Sequence, residues 1–292
     1  MRIFITGCKG QLGRTLSASL DGHTLAGCDL PELDITDRDA IGQAIADFAP
    51  DITIHAAAWT DVNGCARDPD QAYRVNGLGT QNVALACAAS NATMVYISTN
   101  EVFDGFATEP YREWDALHPI NPYGQSKAAG EWFVQHLLTR FYMVRTAWLY
   151  APGGRNFPHR IIQLADERGA LKVVADEVSN PTYALDLADA LAELIETGAY
   201  GIYHITNAGC CSRYDFAREI LRISKREHIP IEPITLDEWE RPSTPPQFAP
   251  LANTAARALG IQLRPWVAAL EAFLLPEKKK APSGTYRAPE GT

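Results

Sequence analysis

The stretch RIFITGCKGQLG, residues 2–13, decides the fold of this chain. It begins with a short apolar run that predicts a buried strand, and the residues from Gln11 onward predict a helix. Between the two, Gly7, Gly10 and Gly13 follow the spacing Gly-x-x-Gly-x-x-Gly. At such a turn, one glycine permits the tight bend, another lets the backbone approach a pyrophosphate, and the third lets the helix pack close to the strand. A glycine-rich turn without a ligand is the alternative, but strand, loop and helix together favour a dinucleotide site.

The alternation of strands and helices continues along the chain. Strands are predicted at residues 24–28, 52–56, 93–98, 141–146, 172–174 and 202–205, and helices at residues 37–48, 69–89, 122–138, 156–168, 184–197 and 212–226. Strands that alternate with helices form βαβ units, whose crossovers place helices on both faces of a parallel sheet. The sequence therefore predicts an α/β protein with a Rossmann-type doubly wound parallel sheet and a smaller C-terminal substrate-binding lobe.

The pattern loosens after residue 151, which suggests a division into two parts. We expect residues 1–150 to form the NAD(P)-binding Rossmann domain, with residues 172–200 returning to it. Residues 151–171 and 201–275 are expected to form the substrate-binding lobe. The last segment, 276–292, lacks apolar periodicity and is predicted to be disordered.

The composition restricts the class of partner. The 292 residues carry 26 basic and 35 acidic side chains, and this net charge of -9 argues against nucleic-acid or anionic-membrane binding. No apolar run reaches the roughly 18 residues of a membrane-spanning helix. The six cysteines show no metal-ligand spacing and are expected to be free thiols in a reducing cytosol. We therefore expect a cytoplasmic protein and assign no metal site.

Residues beyond the glycine loop bear on the choice of cofactor. Asp29 follows the second strand, where a carboxylate can bind the adenosine ribose and repel a 2′-phosphate, which favours NADH. A solvated strand end is an equally good interpretation of Asp29. Lys9 and Arg14 lie near the loop and could offset the preference, so NADPH or NADH remains open. Asp34 and Ile35 could flank the adenine or belong to a plain loop.

The segment after the third strand is rich in small side chains. Ala56, Ala57 and Ala58 would let a cofactor lie across the strand ends, although ordinary tight packing explains them as well. Thr60 follows two residues later and is predicted to contact the cofactor too.

The motif NPYGQSK carries the chemistry. Tyr123 and Lys127 are four residues apart and share a helix face, and Pro122 suits the first turn of that helix. An ammonium beside the phenol would lower its pKa from about 10. The tyrosine could then pass a proton to a carbonyl oxygen as hydride reaches the carbon. Ser98 or Thr99, at the end of the fourth strand, could orient the substrate oxygen, or could simply cap a turn.

The glycine loop and Tyr-x-x-x-Lys resemble those of the extended short-chain dehydrogenases/reductases, and longer strings resemble the dTDP-4-dehydrorhamnose reductase family. The strings are TGCKGQLG, LDITD, HAAAWTDVNGCARDPDQAYRVN, ISTNEVFDG, NPYGQSK, RTAWLYAPGGRNF and RPW, and the similarity runs from Met1 to about Leu275. That family reduces the 4-keto group of a dTDP-linked 6-deoxy sugar to give dTDP-L-rhamnose, using NADH or NADPH. The resemblance implies the same activity here, with a dTDP-linked nucleotide sugar as substrate.

The resemblance also implies roles for individual residues. Thr99, Tyr123 and Lys127 fall on the catalytic triad of the family, and Gln11 and Leu12 fall at the cofactor pyrophosphate.

Further positions fall on the substrate pocket. By resemblance these are Val62, Trp148, Asn156 and Glu101, although Trp148 taken alone would be assigned to the core. Glu101 stands where the family more often has tyrosine. Its carboxylate would repel a diphosphate at close range. Residues 179–182 also replace a loop that more usually contains glycine, so the exact sugar stays open.

Two other classes of function remain open, and so does a homodimer. One is a non-catalytic, NADP-binding regulatory subunit of the same fold, which would not need an intact triad. The other is a nucleotide-sugar epimerase or dehydratase, which recycles its cofactor. Dehydratases usually place acidic residues beside the threonine, so the presence of Glu101 near Thr99 is compatible with that class.

Overall fold

The computed structural model of the protein describes residues 1–275. Its strands are β1 Arg2–Thr6, β2 Thr24–Cys28, β3 Ile52–His55, β4 Thr93–Thr99, β5 Phe141–Thr146, β6 Leu149–Tyr150, β7 Leu171–Val174, β8 Val178–Ser179, β9 Thr182–Tyr183, β10 Gly201–His204, β11 Cys211–Ser212 and β12 Ile231–Ile234. Its α-helices are α1 Gln11–Ser19, α2 Arg38–Phe48, α3 Val62–Arg67, α4 Pro69–Ala72, α5 Thr80–Ala89, α6 Pro122–Leu137, α7 Phe157–Arg168, α8 Ala184–Glu196, α9 Arg213–Ile223, α10 Thr254–Ala258 and α11 Trp266–Leu274.

Six parallel strands form the central sheet in the order β10-β5-β4-β3-β1-β2. From β1 the chain first adds β2 on one side and then β3 on the other, so the strand order reverses between β1 and β3. Ligands of open α/β sheets bind at this kind of switch point, beyond the carboxyl ends of the strands. The predicted Rossmann-type sheet is confirmed, and its switch point coincides with the glycine loop.

Helices cover both faces of the sheet. On one face α1 and α8 bury Leu16 and Leu187, and on the other α2, α5 and α6 bury Ile41, Val83 and Val134. Because both faces are covered, the strands read as nearly continuous apolar runs, as parallel strands generally do.

The helix predicted over residues 69–89 changes type along its length. Between α4 and α5 the segment Tyr73–Gly79 is π-helical. Asn76 in this segment donates from Nδ2 to the carbonyl of Trp59 at 3.1 Å and to the hydroxyl of Ser126 at 3.0 Å. Wide turns of this kind are frequent at functional sites, and this one ties the segment after β3 to α6.

The expected domain boundaries need two corrections. Gly201–His204, assigned to the lobe, is the edge strand of the main sheet and pairs with β5. Leu171–Val174, mostly assigned to the Rossmann domain, pairs instead with Ile231–Ile234 in the lobe. The reason is that α8 and β10 together form the last helix–strand unit of the sheet, while β7 lies before that unit.

A buried ion pair joins α6 to the sheet. Arg145 on β5 contacts the carboxylate of Glu131 with Nε at 2.9 Å and Nη2 at 2.7 Å, and the two side chains are 2% and 0% exposed. The hydroxyl of Ser98 on β4 donates to the same carboxylate at 2.6 Å. One carboxylate thus links α6 to two neighbouring strands at their carboxyl ends.

Residues 276–292, predicted to be disordered, lie outside the described part of the chain. Within residues 1–275, no helix combines the length and apolar character needed to cross a membrane. The six cysteines all lie in this part and are free thiols.

The Glu131→Gln substitution is expected to lower the free energy of unfolding by about 3–5 kcal/mol, because it leaves the buried guanidinium of Arg145 without its counterion. Urea denaturation measures the change. The matched control is Glu219→Gln, which breaks an exposed pair with Arg222 and should cost less than about 1 kcal/mol. Equal effects of the two substitutions would contradict a special role for the buried pair.

Candidate active site

The glycine loop is shaped by close backbone contacts. Gly7 has φ of 71°, and a Cβ there would lie 2.7 Å from the backbone nitrogen of Ala57. A Cβ on Gly13 would lie 2.1 Å from the carbonyl oxygen of Gly7. The structure therefore brings the loop against the residues after β3, and it shows why these two positions require glycine.

The start of α1 can receive an anion. Gly10 is its N-cap, and no side chain of the described residues caps the helix, so the first backbone N–H groups remain available to a phosphate. Leu12 is buried in the core, so only its backbone can serve this purpose. The side chain of Gln11 instead accepts a hydrogen bond from Asn156 at 3.2 Å, which links the loop to the start of α7. The residues present fit a dinucleotide pyrophosphate.

The end of β2 presents carboxylates rather than free cations. Asp29 accepts hydrogen bonds from the backbone nitrogens of Lys9 and Leu30, each at 2.8 Å, which fix its carboxylate. The ammonium of Lys9 is paired with Glu32, and Arg14 donates to the carbonyl of Lys9 at 2.6 Å. Both cations that could hold a 2′-phosphate are therefore paired, although the Lys9–Glu32 pair is exposed, and the fixed carboxylate of Asp29 is the feature that favours NADH.

The remaining predicted cofactor residues differ in exposure. Asp34 forms a local turn by accepting from the nitrogen of Thr36 at 2.8 Å. Ile35 is buried in the core, so its side chain is not presented to an adenine ring. The three residues from Ala56 to Ala58 are half-buried beside the loop, and Thr60 is exposed.

Tyr123 and Lys127 both project from the first two turns of α6. Asn121 caps this helix by accepting from the nitrogen of Gly124 at 2.8 Å, and Pro122 occupies its first turn as predicted. The ammonium of Lys127 donates to the carbonyl of Ile97 at 2.7 Å and is buried. Burial lowers the pKa of this ammonium to about 7, and the negative charge of Glu131 opposes that shift.

The expected lowering of the tyrosine pKa is wrong. Burial raises the pKa of Tyr123, the negative charge of Glu101 raises it further, and the hydroxyl of Thr99 works in the opposite direction. The lysine is held by a carbonyl at the end of β4, while a carboxylate acts on the phenol. The phenol is consequently kept in its protonated, proton-donating form.

The structure decides between the two candidate hydroxyls. The hydroxyl of Ser98 is buried and donates to Glu131, so it is committed to the ion pair. Thr99 lies at the end of β4, where it accepts from the nitrogen of Glu101 at 3.2 Å and interacts with the hydroxyl of Tyr123. Thr99 is therefore the hydroxyl that the fold presents beside the phenol.

Glu101 lies just after β4 and contacts the residue that caps α6. One carboxylate oxygen accepts from Nδ2 of Asn121 at 2.7 Å, and the side chain is half-buried. Burial raises the pKa of Glu101 to about 7, and Glu177 raises it too, whereas Asn121, Arg213 and Arg241 lower it.

A cavity of about 1060 Å³ opens between α7, β7 and α9. Its wall is rich in cations, namely Arg155, Arg160, Arg168, Lys172, Arg213 and Arg241. Arg213 and Arg241 contact the two oxygens of buried Glu177 at 3.0 and 2.9 Å. The guanidinium of Arg213 also lies 3.6 Å from the ring centroid of Trp148. The net positive wall suits an anionic ligand.

The predicted substrate residues differ in their relation to this cavity. Asn156 lines the cavity but also caps α7, accepting from the nitrogen of His159 at 3.2 Å. Val62 begins α3 and is half-buried. Trp148 is half-buried against the lobe core and has φ of 42°, a conformation that large side chains rarely adopt. Trp148 thus packs against the core, as its sequence alone suggested, and its ring also contacts the guanidinium of Arg213.

Sequence reasoning missed the three charged residues that give the cavity its character. Arg213 and Glu177 lie far apart in sequence, and Arg241 falls in a proline-rich stretch without a recognisable motif. Only the packing of α9 and the following loops against β7 brings them together.

Comparisons with known proteins place this chain. The model of the family described as RmlD substrate binding domain matches residues 1–278. The chain belongs to this family.

Several known proteins are similar to this chain over almost their whole length. The spore coat polysaccharide biosynthesis protein SpsK of Bacillus subtilis is 36% identical, over 94% of this chain and 96% of that protein. The dTDP-4-keto-6-deoxy-D-glucose reductase of Streptomyces niveus is 35% identical, over 94% and 97%. The crystal structure of dTDP-4-dehydrorhamnose reductase from Bacillus anthracis in complex with NADP has a TM-score of 0.90 and 37% identity, covering 93% of this chain and 98% of that one. The family resemblance drawn from the motifs is confirmed.

The carboxylates at the end of β2 lead to a test of cofactor preference. The wild-type protein is expected to use NADH better than NADPH, and Asp29→Ala should lower kcat/KM for NADH about tenfold or more, because it removes charge-assisted hydrogen bonds worth about 1.5–3 kcal/mol. Steady-state rates with each cofactor measure the ratio.

The control for this test is Glu32→Gln, which frees Lys9 while leaving the carboxylate of Asp29 in place. It should improve the use of NADPH and leave the use of NADH little changed. An unaltered NADH to NADPH ratio in both variants would mean that this edge of the sheet does not select the cofactor.

Proposed function

We propose that this protein reduces the 4-keto group of a dTDP-linked 4-dehydro-6-deoxy sugar with NADPH or NADH. The specific reaction is the conversion of dTDP-4-dehydro-L-rhamnose to dTDP-L-rhamnose, a step of nucleotide-sugar and cell-surface polysaccharide biosynthesis. The observation that carries the proposal is a protonated phenol beside the hydroxyl of Thr99 at the carboxyl end of β4, in the same sheet whose switch point carries the glycine loop. The similarity to dTDP-4-dehydrorhamnose and dTDP-4-keto-6-deoxy-D-glucose reductases supports the substrate class.

In this proposal, one end of the cleft binds the cofactor and the other end binds the diphosphate of the substrate. The glycine loop and the start of α1 would hold the pyrophosphate of the dinucleotide, whose chemistry when bound is to supply hydride. At the other end, the cavity beside Arg213 and Arg241 would hold the sugar-linked diphosphate. The sugar then lies between them, against Tyr123 and Thr99.

The proton chemistry follows from the electrostatics of α6. The hydroxyl of Thr99 donates to the C4 oxygen and orients the carbonyl, and the phenol of Tyr123 gives that oxygen its proton as negative charge develops there. Lys127, anchored on the carbonyl of Ile97, carries a positive charge at pH values below about 7. It thereby favours the negative charge that Tyr123 acquires on giving up its proton.

The two alternative classes can be separated by one assay. A non-catalytic subunit would not oxidise NAD(P)H when substrate is added, and an epimerase or dehydratase would not consume cofactor overall. A homodimer and a cytoplasmic location stay predictions, and the six free thiols are compatible with a reducing compartment.

The Tyr123→Phe substitution is expected to lower kcat by about 10²- to 10⁴-fold, the usual contribution of a positioned acid, while cofactor affinity stays close to that of the wild type. Consumption of NAD(P)H with a dTDP-4-dehydro-6-deoxy sugar measures the rate, and cofactor fluorescence titration measures binding. Tyr200→Phe is the matched control, because Tyr200 is exposed next to the amino end of β10, away from the cleft. A near-normal rate in Tyr123→Phe would remove this residue as the proton donor.

The cation-lined cavity generates a second test of the proposed substrate. Arg213→Ala is expected to raise KM for the nucleotide sugar about tenfold or more, since a charge-assisted contact to a diphosphate contributes about 1.5–3 kcal/mol. The effect on kcat should be smaller, because the triad is untouched.

Arg218→Ala is the control for that test, since Arg218 belongs to the same helix but lines a different groove. It should leave KM for the sugar and kcat near their wild-type values. An unchanged KM in Arg213→Ala would place the diphosphate elsewhere.

A further inference from the structure

Glu101 is fixed to the same turn of α6 as the proton donor. Asn121 holds its carboxylate at 2.7 Å with Nδ2, while Oδ1 of the same amide caps the helix at the nitrogen of Gly124. Asn121 is itself buried, and its Nδ2 also reaches the carbonyl of Thr244 at 3.1 Å. The position of the carboxylate is therefore set by the cap of the catalytic helix and not by a mobile side chain.

Glu101 adjoins the residues proposed to handle the proton. Its backbone nitrogen donates to the hydroxyl of Thr99 at 3.2 Å, and its negative charge raises the pKa of Tyr123. The charges of Glu177, Arg213 and Arg241, which line the cation-rich cavity, act in turn on the pKa of Glu101. A sugar that directs its C4 carbonyl to Tyr123 and Thr99 therefore brings the carbons next to C4 toward this residue.

A carboxylate in this position faces acidic carbon–hydrogen bonds. The carbons on either side of a C4 ketone, C3 and C5, carry hydrogens that become more acidic when the carbonyl oxygen accepts hydrogen bonds. Tyr123 and Thr99 would supply those bonds. Because the pKa of Glu101 is raised to about 7, both its acid and its base form are populated near neutral pH, as a general base requires.

We propose that Glu101 is a second catalytic residue, which removes and returns the proton on the carbon next to the C4 ketone of the bound sugar. This inference rests on the proposed function, since it needs a 4-keto sugar in the same cleft. It adds to the reduction an activity that needs no nicotinamide cofactor.

The step balances without an oxidant or a reductant. The C–H bond breaks, its proton goes to the carboxylate of Glu101, and its electron pair forms a C=C bond with C4. The former carbonyl electron pair remains on the oxygen, which the hydroxyls of Tyr123 and Thr99 stabilise as an enolate. Return of a proton from Glu101 restores the ketone. Because Glu101 is not fully buried, the proton on its carboxyl group exchanges with solvent before it returns.

The test is deuterium incorporation. Wild-type protein is incubated in D₂O with a dTDP-4-dehydro-6-deoxy sugar and without NAD(P)H, and mass spectrometry follows a gain of one mass unit while proton NMR identifies the carbon. We expect exchange well above the buffer background. Glu101→Gln should lower the exchange rate at least about 100-fold, the contribution of a positioned base, and should lower the rate of reduction by a smaller factor.

A second variant provides a readout that a merely structural role would not give. The exchange rate should rise with pH as Glu101 ionises, with a midpoint near 7. The groups that face Glu101 are Cys65, Asn121, Tyr123, Glu177, Arg213 and Arg241. Glu177→Gln removes a negative charge from this set, so it should move the midpoint to lower pH without removing the base.

The outcomes separate this inference from the proposed function. A protein that reduces the sugar but shows no exchange above background overturns the role of Glu101 and leaves the reductase intact. Exchange in Glu101→Gln at the wild-type rate assigns the base elsewhere and also overturns it. A protein that neither reduces nor exchanges overturns the proposed function, and this inference with it.

Discussion

The site depends on the buried contact between Glu131 and Arg145. The pair joins α6 to β5, and Ser98 adds β4 to the same carboxylate, so the helix that bears the phenol cannot shift relative to the strand that ends in Thr99. A buried pair of this kind adds little net stability compared with apolar packing, but the loss of one partner leaves the other charge buried and uncompensated. The same negative charge also opposes the loss of the proton from Lys127. One carboxylate therefore fixes α6 against the sheet and favours the charged form of Lys127.

The electrostatic balance of the cleft suits reduction. A reductase must give a proton to an oxygen that is gaining negative charge, so its acid has to be protonated before the reaction begins. Burial and the nearby Glu101 both raise the pKa of Tyr123 and keep the phenol protonated. The phenol is consequently a weaker acid, an effect that the hydroxyl of Thr99 opposes in part. In the proposed reaction, the phenol then keeps its proton until negative charge develops on the substrate.

The sequence was sufficient for features whose parts are close along the chain. The glycine loop, the sharing of one helix face by Tyr123 and Lys127, and the strand–helix alternation are local, and the structure has them where expected. Features that depend on distant contacts were not accessible. The choice of Thr99 over Ser98 depends on Glu131, and the sign of the tyrosine pKa shift depends on burial and on Glu101. The cation-rich cavity needs Arg213, which no local motif marks.

The arrangement explains how one scaffold can serve different sugars. The cofactor end consists of backbone groups and glycines, which have no means of distinguishing one sugar from another. Under the proposed binding mode, the diphosphate end consists of guanidinium groups, which also do not distinguish one sugar from another. The choice between sugars then falls to side chains near Tyr123 and Thr99, and Glu101, whose backbone nitrogen donates to Thr99, is one of them. Because its carboxylate is held by the residue that caps α6, a change of residue at this position is expected to alter contacts with the sugar ring without changing the groups proposed to bind the cofactor and the diphosphate.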